Sequence, residues 1–225
     1  MRNVRVKICG LTREEDLDVA VTAGADAVGF LVGVPSSPRN LTLESAKVLL
    51  SQVPIFVDSV VVTTPKSVAW LVEVCERLKP SAIQIHGKEL LNSSEIREKI
   101  KDTQLIKTVY VTEDALNKKV IEDLKTFDAV LLDSFSKGQY GGTGKVHDWT
   151  LSRQIKEAVA PVPVILAGGL KPENVKEAVL KVQPYAIDVA SGVELSPGVK
   201  DNKKVRAFVE NAKQIKLPIS VGDRK

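Results

Sequence analysis

Eight short runs of apolar, mostly β-branched residues alternate with eight longer amphipathic stretches along the whole chain. The runs span residues 4–9, 27–32, 55–62, 82–86, 105–110, 129–133, 164–167 and 186–190. The amphipathic stretches lie near 13–23, 42–51, 65–78, 93–101, 113–125, 149–159, 172–182 and 201–214. A strand that is followed each time by a helix returns to its sheet as a parallel neighbour, so the alternation predicts repeated βα units of the α/β class. Eight units favour a closed (β/α)8 TIM barrel over an open doubly wound sheet, although 225 residues is near the short end for that fold. No Ser/Gly linker, composition shift or low-complexity tract interrupts the pattern. It predicts a single domain over 1–225, with 216–225 a short docked or frayed tail.

Local signals refine the elements. Thr12 with Glu15 offers a capping box for the first helix, and Pro65 and Pro172 suit a first helical position in the third and seventh. Pro163 cannot donate to a ladder, so the seventh strand is expected to open at Val164. Apolar residues make up 44% of the chain, enough for a sizeable core. With 32 basic against 28 acidic residues, no dense Lys/Arg block and only 4% aromatics, a nucleic-acid surface is not indicated, and small anionic ligands remain open. Cys9 and Cys75 show no pairing pattern and no CxxC, as expected of reduced thiols in a cytosolic setting, and no metal-ligand cluster is visible. The N-terminus enters an alternating run without a secretory pattern, and no apolar run nears membrane-spanning length. The expectation is a soluble, cytoplasmic protein without a membrane partner.

Three loops are rich in residues that let a backbone approach a ligand closely: Gly141-Gly142-Thr143-Gly144-Lys145, Ala167-Gly168-Gly169-Leu170 and Ser191-Gly192-Val193-Glu194. They follow the sixth, seventh and eighth strand candidates, and barrels of this kind commonly hold a phosphate after strands seven and eight. Backbone amides of Gly142, Gly144, Gly168, Gly169, Ser191 and Gly192 are therefore the candidate anchor for a small phosphorylated substrate. The first loop is not a nucleotide P-loop, because Gln139 and Val146 stand where that motif needs Gly and Ser or Thr. It is not a dinucleotide fingerprint either, since His147 takes the third glycine position.

Reactive side chains are expected at the strand ends. Period two puts Val4, Val6 and Ile8 on the helix-facing side of the first strand, and Arg5, Lys7 and Cys9 on the other. Cys9 ends that strand, where a neighbouring Lys7 is placed to lower its pKa; a lone cysteine is otherwise a small buried hydrophobe. Asp133 closes the sixth strand after an apolar run, a costly place for a carboxylate that is neither paired nor used. From different sides of a barrel the two groups can flank one molecule as general base and general acid. Arg39, on the loop after strand two, is either a bidentate carboxylate clamp or a solvated surface group. Gln84 and His86 share an inward face, His86 reading as a satisfied polar-core residue. Asp188 and Asp26 are structural candidates, and Trp70, Cys75 and Trp149 read as packing.

In combination these segments resemble the phosphoribosylanthranilate isomerase family of tryptophan synthesis. The match runs in order through Lys7-Ile8-Cys9-Gly10-Leu11-Thr12, Ala23 to Phe30, Ser37-Pro38-Arg39, Gln84-Ile85-His86-Gly87 and Leu131-Leu132-Asp133. It continues through Gly141 to Lys145 with Asp148-Trp149, then Ala167-Gly168-Gly169-Leu170 with Pro172 to Val175, Asp188 to Glu194, and Pro197 to Asp201. The resemblance implies a cofactor-independent Amadori rearrangement with Asp133 as general acid, Cys9 as general base, Arg39 on the anthranilate carboxylate and the Gly-rich loops on the phosphate. The chain departs from the family pattern at Ser59-Val60-Val61-Val62, at His147, where Phe is usual, and at Ala190, where Ser is usual. A sugar-phosphate isomerase of histidine synthesis is the nearest alternative, but that group resembles an Asp at the end of strand one, where Cys9 stands. A non-catalytic barrel that binds a phosphorylated metabolite is the alternative of a different class.

Overall fold

A computed structural model describes residues 1–87, 93–134 and 147–219. Its eight barrel strands are β1 (Arg5–Cys9), β2 (Ala27–Val32), β3 (Asp58–Thr63), β4 (Ala82–Ile85), β5 (Gln104–Tyr110), β6 (Ala129–Asp133), β7 (Val164–Leu166) and β8 (Ala186–Val189). Each is parallel to its neighbours, and pairing of β1 with both β2 and β8 closes the ring. The helices α1 (Glu14–Thr22), α2 (Leu43–Leu50), α3 (Val68–Leu78), α4 (Ser93–Lys99), α5 (Lys118–Leu124), α6 (Trp149–Val159), α7 (Val175–Val182) and α8 (Asn202–Lys213) follow the strands in turn. The expected (β/α)8 barrel is the observed one.

Strand alternation sorts the core into two shells. Val4, Val6 and Ile8 pack outward in one cluster with Leu17, Ala20, Phe208 and Val209 of α1 and α8. Inside the ring, Val60, Ala82, Ile106, Leu131, Ile165 and Ala186 form a small apolar layer. Directly above it, two residues further along their strands, Lys7, Gln84, Thr108 and Asp188 form a polar layer. The Lys7 ammonium donates to Gln84 at 2.9 Å and to Asp188 at 3.0 Å, and the Gln84 amide donates to Thr108 at 3.2 Å. A floor of hydrocarbon thus closes the barrel, and its polar inventory is lifted toward the end where the strands stop. Trp149 is buried in the outer core, and Trp70 and Cys75 pack against the smaller cluster around α3, as their helical positions suggested.

Local departures have local causes. The third strand opens at Asp58 rather than at 55, because the amide of Val57 turns back to the carbonyl of Pro54; Ile55 and Phe56 stand exposed in that turn, Phe56 with φ of 73°. Thr12 does not form a capping box: its hydroxyl donates to the carbonyl of Gly198 at 2.6 Å, and the residue before α1 is Arg13 without a side-chain cap. Ser67, not Pro65, heads α3, its hydroxyl accepting from the amide of Trp70 at 3.2 Å. Pro172 lies in the turn before α7, which the side chain of Asn174 closes onto the amide of Lys171 at 2.9 Å. The expected fifth helix divides into a 3-10 turn over Glu113–Leu116 and α5, with Asn117 extended between them. Of the expected tail, Lys216–Leu217 pairs antiparallel with Arg2–Asn3 at the N-terminal end of the barrel and buries Leu217.

Candidate active site

The polar layer opens into a pocket at the C-terminal ends of the strands, lined among others by Cys9, Arg39, His86, Asp133 and Asp188. Gly168, Gly169, Ser191 and Gly192 line it as well. Every candidate site residue within the described part of the chain therefore faces one cavity. Gly142 and Gly144 lie outside the described residues, with the rest of 135–146.

Cys9 ends β1 facing inward, 5% exposed, beside Gly29 of β2. A Cβ on Gly29 would lie 2.7 Å from its Sγ and 3.0 Å from Cε of Lys7, so only glycine leaves room for both side chains. Burial pushes the Cys9 thiol up from its ordinary value and Asp188 adds to the rise, while Lys7 pulls the other way. The expected depression by Lys7 is thus present but outweighed. Burial also works against the Lys7 charge, yet pairing with Asp188 leaves Lys7 above its ordinary value and protonated. Asp188 itself is raised by burial against the opposing pull of Lys7.

Asp133 ends β6 on the same face. One carboxylate oxygen accepts the amide of Ser134 at 2.7 Å, and the other lies 3.6 Å from Nε2 of His86. His86 is buried, with Nδ1 3.4 Å from the Tyr110 hydroxyl and the two rings edge to face. It is a satisfied inward-facing histidine, and it also forms part of the pocket wall beside the carboxylate. Just beyond, the His147 ring bridges the hydroxyls of Ser134 at 3.1 Å and Ser152 at 2.7 Å, and burial lowers its pKa toward the neutral form. Asp26 is structural: it accepts the amide of Val6 at 2.8 Å and pairs with Lys213.

The loops after β7 and β8 interlock. A Cβ on Gly192 would lie 1.9 Å from the carbonyl oxygen of Leu170, so the second loop packs backbone to backbone on the first. Among the described residues, the amides of Gly168, Gly169, Ser191 and Gly192 have no acceptor. Ser191–Val193 form a short 3-10 helix whose first amides belong to this set. Four donors without acceptors among the described residues, gathered where strands end, are the arrangement that an anion would need.

Arg39 is not a solvated surface group. Its Nε and one Nη2 proton chelate Glu194 at 2.8 and 2.5 Å, with the side chain 11% exposed. Burial would raise the Glu194 carboxyl, but Arg39 and Lys200 hold it below its ordinary range. Lys200 is fully buried, and its Nζ meets Glu194 at 2.8 Å, the carbonyl of Cys9 at 2.6 Å and that of Ala190 at 3.1 Å. Sequence reasoning did not single out Glu194 or Lys200. The one available signal was Pro197-Gly198, a turn dipeptide that pairs Glu194 with Lys200 across a hairpin.

Fold and constellation define the class: a (β/α)8-barrel enzyme with a carboxyl, a thiol and a guanidinium gathered at the mouth together with two interlocked glycine-rich loops. A family model described as N-(5'-phosphoribosyl)anthranilate (PRA) isomerase matches residues 6–211. The N-(5'-phosphoribosyl)anthranilate isomerase of Methanosarcina acetivorans is 45% identical over 224 residues, covering 93% of this chain and 93% of its own. The crystal structure of phosphoribosyl anthranilate isomerase from Thermotoga maritima superposes with a TM-score of 0.83 at 37% identity, covering 94% of this chain and 100% of that one. A phosphoribosyl anthranilate isomerase in complex with reduced 1-(o-carboxyphenylamino)-1-deoxyribulose 5-phosphate superposes with a TM-score of 0.80 at 35% identity, with the same coverage. The chain belongs to the N-(5'-phosphoribosyl)anthranilate isomerase family.

Proposed function

We propose that this chain isomerises N-(5'-phosphoribosyl)anthranilate to 1-(2-carboxyphenylamino)-1-deoxyribulose 5-phosphate with Asp133 as general acid and Cys9 as general base. The observation that carries the assignment is the placement of both groups on one cavity, ending strands β1 and β6 on different sides of the ring. Asp133 gives its proton to the furanose ring oxygen, and the ring C–O bond breaks as the exocyclic nitrogen forms a Schiff base. Cys9 then takes the proton from C2', and the electron pair moves toward the cationic nitrogen to give an enolamine, which tautomerises to the ketose. The proton taken up at the ring oxygen balances the one lost from C2', tautomerisation moves one from the enol hydroxyl to C1', and C1' is reduced as C2' is oxidised, so no external redox partner is needed.

Two binding subsites fix the sugar between those groups. The amides of Gly168, Gly169, Ser191 and Gly192 take the phosphate, with Gly142 and Gly144 assigned to the same anchor by sequence alone. Arg39 takes the anthranilate carboxylate. Glu194 occupies only one edge of its guanidinium, and among the described residues Nη1 has no acceptor, so a second fork remains for a ligand. The site is anchored at both ends of the substrate, and the reacting carbons are held between. Purified protein mixed with freshly prepared N-(5'-phosphoribosyl)anthranilate should extinguish the substrate's fluorescence at a rate proportional to enzyme. Absence of turnover would contradict the assignment.

A further inference from the structure

We propose that Glu194 and Lys200 form a charge-setting pair for Arg39, which makes the pocket selective for a ligand that carries a carboxylate on its aromatic ring. The inference rests on the reading of Arg39 as the carboxylate clamp and concerns two residues to which that reading gives no role. A buried Arg–Glu pair is electrically neutral, and a neutral fork attracts a second carboxylate poorly. Lys200 changes the balance: two cations share one carboxylate, and the group as a whole keeps one positive charge.

The geometry supports this distribution of charge. Lys200 Nζ has three acceptors within 3.1 Å, the carbonyls of Cys9 and Ala190 and the Glu194 carboxylate, which matches the three protons of an ammonium. Burial lowers its pKa, and Glu194 opposes that. Glu194 in turn divides its oxygens, Oε1 shared between Lys200 and Nε of Arg39 and Oε2 held by Nη2. The guanidinium is therefore fixed in one orientation with its Nη1 edge unclaimed. Lys200 cannot reach a ligand itself, since its side chain has no exposed surface. It is a positioning residue acting through Glu194.

The test compares two inert ligands by calorimetry: the reduced product, 1-(2-carboxyphenylamino)-1-deoxyribulose 5-phosphate with its ketone reduced, and the same molecule lacking the ring carboxylate. Lys200→Met should weaken the carboxylate ligand about tenfold and leave the decarboxylated one within about twofold, the scale of a weakened charge-assisted pair. Lys200→Met with Glu194→Gln should recover most of the lost affinity, because the cluster regains its single positive charge. Glu194→Gln alone should bind the carboxylate ligand no more weakly than the native protein, and it keeps the proposal testable if Lys200→Met does not fold. Equal weakening of both ligands, or no rescue in the double variant, would overturn the inference. Arg39→Met is the separate control: if it fails to discriminate the two ligands, the clamp reading itself fails. Discrimination by Arg39→Met but not by Lys200→Met sinks only the charge-setting pair.

Discussion

At the scale of single residues, the informative tension lies at Cys9. A general base must lose its proton, yet burial and Asp188 hold the thiol above its ordinary value. The working form has one proton between the two groups, on Asp133, with Cys9 as thiolate. A carboxyl ordinarily releases its proton before a thiol, so this form is the minor arrangement of the singly protonated pair. Its population falls once the thiol's own value is passed. The expected pH profile of kcat/KM therefore carries an alkaline limb above the ordinary thiol value of 9.0. Lys7→Met removes a cation that lowers the thiol and should move that limb further up. An alkaline limb well below the ordinary thiol value in the native protein, or a downward shift in Lys7→Met, would contradict this account of Cys9.

At the scale of elements, the loops after β7 and β8 work as one unit, because Gly192 leaves no space above the carbonyl of Leu170. Gly192→Ala forces one backbone away from the other and should raise KM by about tenfold or more while kcat changes less, since the proposed role of these amides is to hold the phosphate and not the reacting carbons. An unchanged KM in steady-state kinetics would separate the two loops functionally. These loops were legible in the sequence, because each glycine-rich stretch follows its own strand and needs no distant partner to be recognised. The inward facing of Lys7 and Cys9 was legible for the same reason, strand period being a local property. What local pattern did not give depended on contacts distant in sequence. Thr12 gave up its capping bond for Gly198, and Lys200 is meaningful only beside the carbonyl of Cys9. The run at 55–57 looked like the opening of a strand, because apolarity alone does not separate a strand from the turn that Pro54 begins.

On the scale of the whole molecule, the barrel divides stability from chemistry along its axis. At the N-terminal end Arg2–Asn3 pairs with Lys216–Leu217, and the Arg2 guanidinium donates to the carbonyls of Pro184 and Tyr185. The C-terminal end carries the pocket. Leu217→Ala deletes a side chain that is 2% exposed and should cost about 2–4 kcal/mol of unfolding free energy by denaturant titration, with kcat/KM unchanged where the protein stays folded. A loss of activity in the variant while it stays folded would mean that the two ends are coupled. Net charge and composition left small anionic ligands open without selecting one; the order in which the motifs occur and the family match selected it. The central claim is that Cys9 and Asp133 carry out the proton transfers, and the most direct measurement is kcat of Cys9→Ala and of Asp133→Ala in the substrate-fluorescence assay. The account predicts a loss of about 10²- to 10⁴-fold in each with the fold intact by circular dichroism. Full activity in both variants would contradict it.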